Sequence, residues 1–296
     1  VLNHDSPAEI RTLLRQLGIR LQKRWGQNFL VSPGARAKIV SLIDPRPGEL
    51  IWEVGPGLGS LTVQLAGRVR RLLAFEIDQG LVRFLRGELA PLPNVTLVAG
   101  DVLKRWRPTL QEEGGPDKIV GNLPYSTASA LIGSLAEARV RPERMVFTVQ
   151  KELAQRMTAR PGTKSYSSFS ILCQTVYDVR ERFSLRPGSF FPAPAVTSSV
   201  VELTPAAVGA GRQSAVLEAP EDWAFFLRLL RLLFSSRRKT IRNNLLAAGL
   251  SKRESEEELL QVVRAAGIDP AGRAEGLTPE QLWKLAATLR RGLQDL

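Results

Sequence analysis

Five short apolar runs fill residues 50–149, and their spacing constrains the fold more than any other feature of this chain. They are Leu50-Ile51-Trp52-Glu53-Val54, Arg71-Leu72-Leu73-Ala74-Phe75-Glu76, Val95-Thr96-Leu97-Val98, Lys118-Ile119-Val120 and Arg144-Met145-Val146-Phe147-Thr148-Val149. Each has the length of a strand, and helical patterns at 61–65 and 81–89 separate the first three. A parallel strand pair needs a long crossover, usually a helix, and such helices cover the sheet. The alternation therefore predicts an α/β fold with a mainly parallel sheet and helices on both faces. Residues 112–117 read as a surface loop ahead of the fourth strand.

The flanks divide the rest. Ser6-Pro7-Ala8-Glu9 carries the marks of a helix start: a capping Ser, a Pro at the first position and an acid three residues after the cap. Leu13, Leu14 and Leu17 give that helix an apolar face, and Gly18 can end it. A basic, polar segment with Arg20, Gln22, Lys23, Arg24, Gln27 and Asn28 follows. Residues 205–220 are rich in Ala, Gly and Pro, and beyond them only helical patterns remain, at 223–234, 239–248, 253–266 and 279–289. The expected division is an N-terminal helical extension (1–22), the α/β domain (23–204), a linker (205–220) and a small helical domain (221–296).

The chemistry sits at the ends of the predicted strands. Directly after the first strand, Gly55-Pro56-Gly57-Leu58-Gly59 lets the backbone turn sharply and approach a ligand. A dinucleotide fingerprint needs two residues between its second and third glycines; here there is one. Glu53 adds an acid where a pyrophosphate would want bare amide donors, and it suits a cationic aminoacyl-sulfonium better. Glu76, ending the second strand, can accept both ribose hydroxyls of a nucleoside cofactor. Asp101 can accept an adenine amino group at the third; the alternative is a helix cap. Asn122-Leu123-Pro124-Tyr125 follows the fourth strand. The exocyclic nitrogen of adenine is a weak nucleophile, because its lone pair is delocalised into the ring. It needs acceptors that hold its N–H bonds while it pyramidalises. The Asn122 side-chain oxygen and the Leu123 carbonyl can serve, Pro124 fixes the turn, and Tyr125 offers a stacking face for an extruded base.

With these motifs in order, the sequence resembles the ribosomal RNA adenine dimethyltransferase family, and within it the small-subunit enzymes. The likeness also rests on Gly26-Gln27-Asn28-Phe29-Leu30, on Phe190-x-Pro192-x-Pro194-x-Val196-x-Ser198, and on Arg238-Lys239-Thr240-Ile241-Arg242-Asn243. It runs from about residue 23 to 244, and more loosely to the end. The resemblance implies a Rossmann-like S-adenosylmethionine-dependent methyltransferase domain with a small C-terminal α-helical domain. It implies cofactor contacts from Asn28, Leu30, Gly55, Gly57, Glu76, Asp101 and Asn122. Catalysis would fall to Asn122, Leu123, Pro124 and Tyr125, with Phe190 stacking on the target adenine opposite Tyr125; the alternative for Phe190 is a core phenylalanine. The implied reaction gives N6,N6-dimethyladenosine at two adjacent adenines near the 3′ end of small-subunit (16S) rRNA, in a pre-ribosomal particle. Two departures stand out: Ala195-Val196-Thr197-Ser198 where the family has Lys-Val-Asp-Ser, and Lys164-Ser165-Tyr166-Ser167-Ser168-Phe169-Ser170 where an arginine is usual.

Composition narrows the partners. The 41 Lys and Arg exceed the 29 Asp and Glu, a formal charge of +12 that favours a polyanion. Arg24, Arg237, Arg238, Lys239 and Arg242 are the candidate RNA contacts. One cysteine, Cys173, and one histidine, His4, exclude an internal disulfide and a Cys/His zinc site, so no metal is expected. His4 lies in a polar tail and is set aside as a catalytic base; Cys173 reads as a buried small residue. No apolar run is long enough to cross a bilayer. The expectation is a cytoplasmic monomer. Two other functions fit the fold: a large-subunit rRNA adenine methyltransferase of the macrolide-resistance type, which usually has Ile at the Leu123 position, and a non-catalytic ribosome-assembly factor.

Overall fold

The computed structural model describes residues 2–22, 25–206, 219–249 and 256–294, without the side chains of 125–126 and 292–294. Its contacts form two units. One comprises Val1–Ala154 and Val179–Pro205, the other Gln155–Asp178 and Ala206–Leu296.

The first unit begins with helix α1 (Pro7–Gln16). The Ser6 hydroxyl accepts from Glu9 N, as its sequence signature predicts. The other half of the expected capping box is diverted, because the Glu9 carboxylate accepts from Asn3 N instead. Ile10 and Leu14 are buried, whereas Leu17 lies past the helix end and is 40% exposed, so the predicted apolar face shifts toward Ile10. Strand β1 (Phe29–Leu30) and helix α2 (Pro33–Ile43) follow. Ser32 and Pro33 start α2 by the same device as Ser6 and Pro7.

Then come β2 (Leu50–Val54), α3 (Thr62–Ala66), β3 (Arg71–Glu76), α4 (Gln79–Glu88), β4 (Val95–Ala99), α5 (Val102–Glu113), β5 (Lys118–Asn122), α6 (Tyr125–Glu137), β6 (Arg144–Gln150) and α7 (Lys151–Met157). All five predicted strands are present and mutually parallel, in the order β4-β3-β2-β5-β6. The expected loop at 112–117 is shorter than the sequence suggests. Helix α5 continues to Glu113 across an interior Pro108 and stops where Gly114 turns to φ +81°. Burial of Val102, Trp106 and Thr109 holds the helix through the proline, which removes one backbone hydrogen bond.

Beyond α8 (Ser168–Val176), the sheet is extended by β7 (Tyr177–Leu185) and β9 (Ser198–Pro205), with β9 antiparallel to β6 and β7 at the edge. Between them, β8 (Phe190–Phe191) pairs antiparallel with β1 in a separate two-stranded ribbon.

In the second unit, α9 (Pro220–Leu233), α10 (Ile241–Ala247), α11 (Glu256–Ala265) and α12 (Pro279–Gln294) match the four predicted helical patterns. Trp223 stacks on Phe226 at 5.2 Å, and Phe226 meets Trp283 at 5.6 Å. The segment 155–178, expected within the α/β domain, packs here. The buried Tyr166 donates its hydroxyl hydrogen to the Leu277 carbonyl (2.8 Å), and Gly162 N bonds Glu275 O. Its helix α8 buries Ile171, Leu172, Cys173 and Val176, an apolar face that needs other helices to cover it. Burial raises the Cys173 thiol pKa, so the residue behaves as the small apolar filler its context suggests. Residues 207–218, most of the expected linker, lie outside the described residues. Among the described residues no helix is long and apolar enough to cross a membrane.

Candidate active site

The chain runs outward from β2 through β3 to β4, then returns to place β5 on the other side of β2. The two connections leave β2 and β5 in opposite directions, which opens a crevice at their carboxyl ends. The glycine loop leaves β2 there, and Asn122 ends β5 there. A Cβ on Gly55 would stand 3.5 Å from the Asn122 carbonyl oxygen, so the two motifs, 67 residues apart in the chain, touch.

Close approach explains the glycines. Gly55, Gly57 and Gly59 have φ of +72°, +61° and +86°, a region costly for side chains. At Gly57 a Cβ would also crowd the Phe29 ring at 3.0 Å. Gly121 is required for another reason: a Cβ there would sit 2.6 Å from the Val54 carbonyl oxygen on β2.

One cavity lies over these elements. Asn28, Leu30, Gly55, Gly57, Glu76, Asp101 and Asn122 all line it, so the seven expected cofactor contacts, drawn from five separate segments, meet in one place. Glu53, Pro124 and Thr127 line it too. Glu76 is held by Gly57 N on one oxygen (3.1 Å) and Asp78 N on the other (2.9 Å). Its burial pushes the carboxyl pKa up to about 7, although those two hydrogen bonds pull it down. Glu53 is 1% exposed and is likewise raised to about 7 by burial, with the Thr62 hydroxyl easing the shift and Glu76 adding to it. Among the described residues neither carboxyl has an ion pair, and two such buried carboxyls favour a ligand that brings positive charge. Asp101 is both of the things the sequence allowed. One oxygen caps α5 through Leu103 N (2.9 Å), and the residue still faces the cavity.

The Asn122 amide is oriented. Its nitrogen donates to the Asn28 carbonyl at 2.7 Å, which turns the side-chain oxygen, an acceptor, away from that contact. Leu123 N bonds Thr148 O on β6, and the Pro124 carbonyl accepts from Thr127 and Ala128 at the start of α6. The turn is thus pinned to the sheet on one side and to a helix on the other. Asn28 is fixed from its own side, since Gln27 next to it donates to Asp78 (2.8 Å) and accepts from Gln22 N (2.8 Å).

Leu123 is buried and is not among the cavity-lining side chains. The Tyr125 side chain and Arg24 lie outside the described residues. Phe190 differs from expectation. It is 4% exposed and packs with Leu30, Ile39 and Val200 in the core rather than lining the cavity. Strand alternation is the cause: β8 turns Phe190 inward with its pair Leu30, and turns Phe191 with Phe29 toward α1. Sequence reading also missed His4, Ile10 and Trp25, which line the cavity; a lone histidine in a polar stretch gives no signal of that kind.

In the second unit, Arg237 is paired with Glu275 (2.9 Å) and Arg242 with Glu256 (2.5 Å). Arg238 and Lys239 are exposed and have no ion pair among the described residues.

The family model described as "Ribosomal RNA adenine dimethylase" matches residues 18–290. The ribosomal RNA small subunit methyltransferase A of Treponema denticola is 40% identical over 277 residues, covering 93% of this chain and 92% of that protein. The protein of the same name from Geobacter metallireducens is 39% identical over 282 residues, covering 93% and 98%. Among solved structures, a dimethyladenosine transferase from Plasmodium falciparum matches with a TM-score of 0.72 at 24% identity, over 86% of this chain and 94% of that one. The 23S rRNA methyltransferase ErmE matches with 0.62 at 26% identity, over 89% and 100%.

Proposed function

This chain belongs to the ribosomal RNA adenine dimethylase family, and from that premise we propose that it methylates N6 of adenines in small-subunit ribosomal RNA with S-adenosylmethionine as donor. The observation that carries the reading is the cavity at the ends of β2 and β5. It joins buried carboxyls suited to a cationic nucleoside to an asparagine whose acceptor oxygen is set by its own hydrogen bond. The cofactor would supply a methyl group already activated on a sulfonium.

The residues do the rest. Glu76 would take the ribose hydroxyls, Asp101 the cofactor's adenine amino group, and Asn28, Leu30, Gly55 and Gly57 the remaining walls. The Asn122 side-chain oxygen and the Leu123 carbonyl would accept the two N–H bonds of the target amine. That alignment needs no strong base, and positioning of this kind can supply a large share of the rate. Tyr125 would offer a face to the extruded base. Phe190 could join it only by leaving the core packing it has here.

The substrate would be two adjacent adenines near the RNA 3′ end, each dimethylated, in a pre-ribosomal particle in the cytoplasm, with the enzyme acting as a monomer. The helical unit would dock the RNA backbone, chiefly through Arg238 and Lys239.

The test is transfer of label from S-adenosylmethionine to immature small subunits and, separately, to large-subunit RNA, followed by nucleoside mass spectrometry. Dimethyladenosine in the small-subunit RNA, reduced at least about 100-fold by Asn122→Ala, is expected; the variant loses one hydrogen bond to the reacting amine and the bond to the Asn28 carbonyl that fixes the turn, together worth roughly 3 kcal/mol. Label in large-subunit RNA would transfer the assignment to the resistance type. Bound cofactor with no label in either would leave an assembly factor.

A further inference from the structure

We propose that the N-terminal segment is part of the cofactor site: His4 and Ile10 contact the bound cofactor, and the Asp5–Arg36 ion pair holds them in the cavity wall. This rests on the reading of that cavity as the S-adenosylmethionine site.

Both side chains line the cavity together with Trp25, Asn28 and Glu76. Two kinds of contact fasten them. Ile10, 1% exposed, packs in a cluster with Phe29, Leu58 and Leu81, which line the same cavity. Arg36 on α2 is buried, donates to the Leu30 carbonyl at 2.8 Å, and pairs with Asp5. One guanidinium thus joins a cavity residue to the neighbour of His4. The turn before α1 is tied to itself as well, by Asp5 N to the Asn3 side chain (3.0 Å) and Ser6 N to the Asn3 carbonyl (3.2 Å).

The chemistry of His4 fits a cationic ligand. Burial, and then the nearby Arg36 charge, hold its pKa below the ordinary 6.5, while Asp5 and Glu88 pull it upward. A neutral imidazole offers one donor and one acceptor without opposing a sulfonium or an ammonium. Ile10 offers apolar surface. Neither residue is needed to align the target amine, so their contribution is to cofactor affinity.

The experiment is calorimetric titration of the full chain with S-adenosylmethionine. We expect His4→Ala and Asp5→Asn each to weaken binding about tenfold. His4→Gln, which keeps a donor and an acceptor, should stay within about threefold of the parent. The cofactor-free thermal midpoint of His4→Ala should remain near that of the parent, which separates a binding contact from a packing one. If His4→Ala and Asp5→Asn both bind as the parent does, the proposal is overturned. If the parent itself does not bind S-adenosylmethionine, the assignment of the cavity falls, and this inference with it.

Discussion

Glu76 carries the sharpest residue-scale consequence of the cavity. A carboxyl with a pKa near 7 in the folded chain and about 4.5 in an ordinary setting is favoured in its neutral form by folding. Its contribution to stability is therefore complete below about pH 4.5 and is lost as pH rises through about 7. A cationic ligand reverses the preference, because it stabilises the ionised form. Without cofactor, the parent should lose thermal stability relative to Glu76→Gln between pH 5 and pH 8. Parallel unfolding profiles for the two proteins would show that the carboxyl is not perturbed. Cofactor affinity of the parent should rise across the same interval. Asn122 and Gly57 are each held by one neighbour in space: the first by the Asn28 carbonyl that takes its nitrogen, the second by the Phe29 ring that leaves no room for a methyl group.

At the scale of elements, β5 joins the candidate site at one end to a structural anchor at the other. Its carboxyl end presents Asn122, and its first residue, Lys118, is fully buried. The Lys118 ammonium meets Glu49 at 2.7 Å and the Asp44 carbonyl at 2.5 Å. The Asp44 carbonyl is available because α2 ends there in the left-handed conformation, φ +49°. Breaking one side of such a pair strands a buried charge at a cost of roughly 3–5 kcal/mol, whereas removing both can be nearly neutral. Glu49→Gln and Lys118→Met should each destabilise by about 3 kcal/mol in urea unfolding, and the double variant by clearly less than their sum. Additive losses would mean that the pair is not coupled. Next to Asn122, Gly121 pairs with Val54 on β2 so closely that a Cβ there would sit 2.6 Å from the Val54 carbonyl oxygen.

For the whole molecule, the excess of positive charge is the property that bears on RNA. Arg237 and Arg242 already have carboxylate partners, so they would add less to phosphate binding than their number suggests. Arg238 and Lys239 have none among the described residues. RNA affinity should fall steeply with salt, and Arg238→Ala with Lys239→Ala together should flatten the log–log slope by roughly 1.4, about 0.7 per phosphate contact on a single strand. Arg237→Ala should change it less. An unchanged slope in the double variant would place the RNA elsewhere.

The sequence by itself determined the five parallel strands, the glycine loop, Glu76, Asp101 and Asn122. Each depends on local chemistry: apolar runs of strand length, glycines where φ is positive, and polar residues at strand ends. It also determined the four C-terminal helices, whose 3.6-residue periodicity is local as well. Helix α2 was legible in principle, since Ser32-Pro33 repeats the start signal of Ser6-Pro7, whereas α5 was hidden by Pro108. The tertiary structure alone decided what depends on distant partners. Nothing local says that Phe190 faces the core and Phe191 does not, because the choice is made by register with β1, some 160 residues earlier. Segment 155–178 groups with the helical unit, to which the buried Tyr166 hydroxyl ties it through the Leu277 carbonyl. His4 lines the cavity beside Asp5, which pairs with Arg36 on α2, a neighbour no local pattern announces. Side-chain pattern encodes what a segment is, and only packing between segments far apart in the chain decides what it touches.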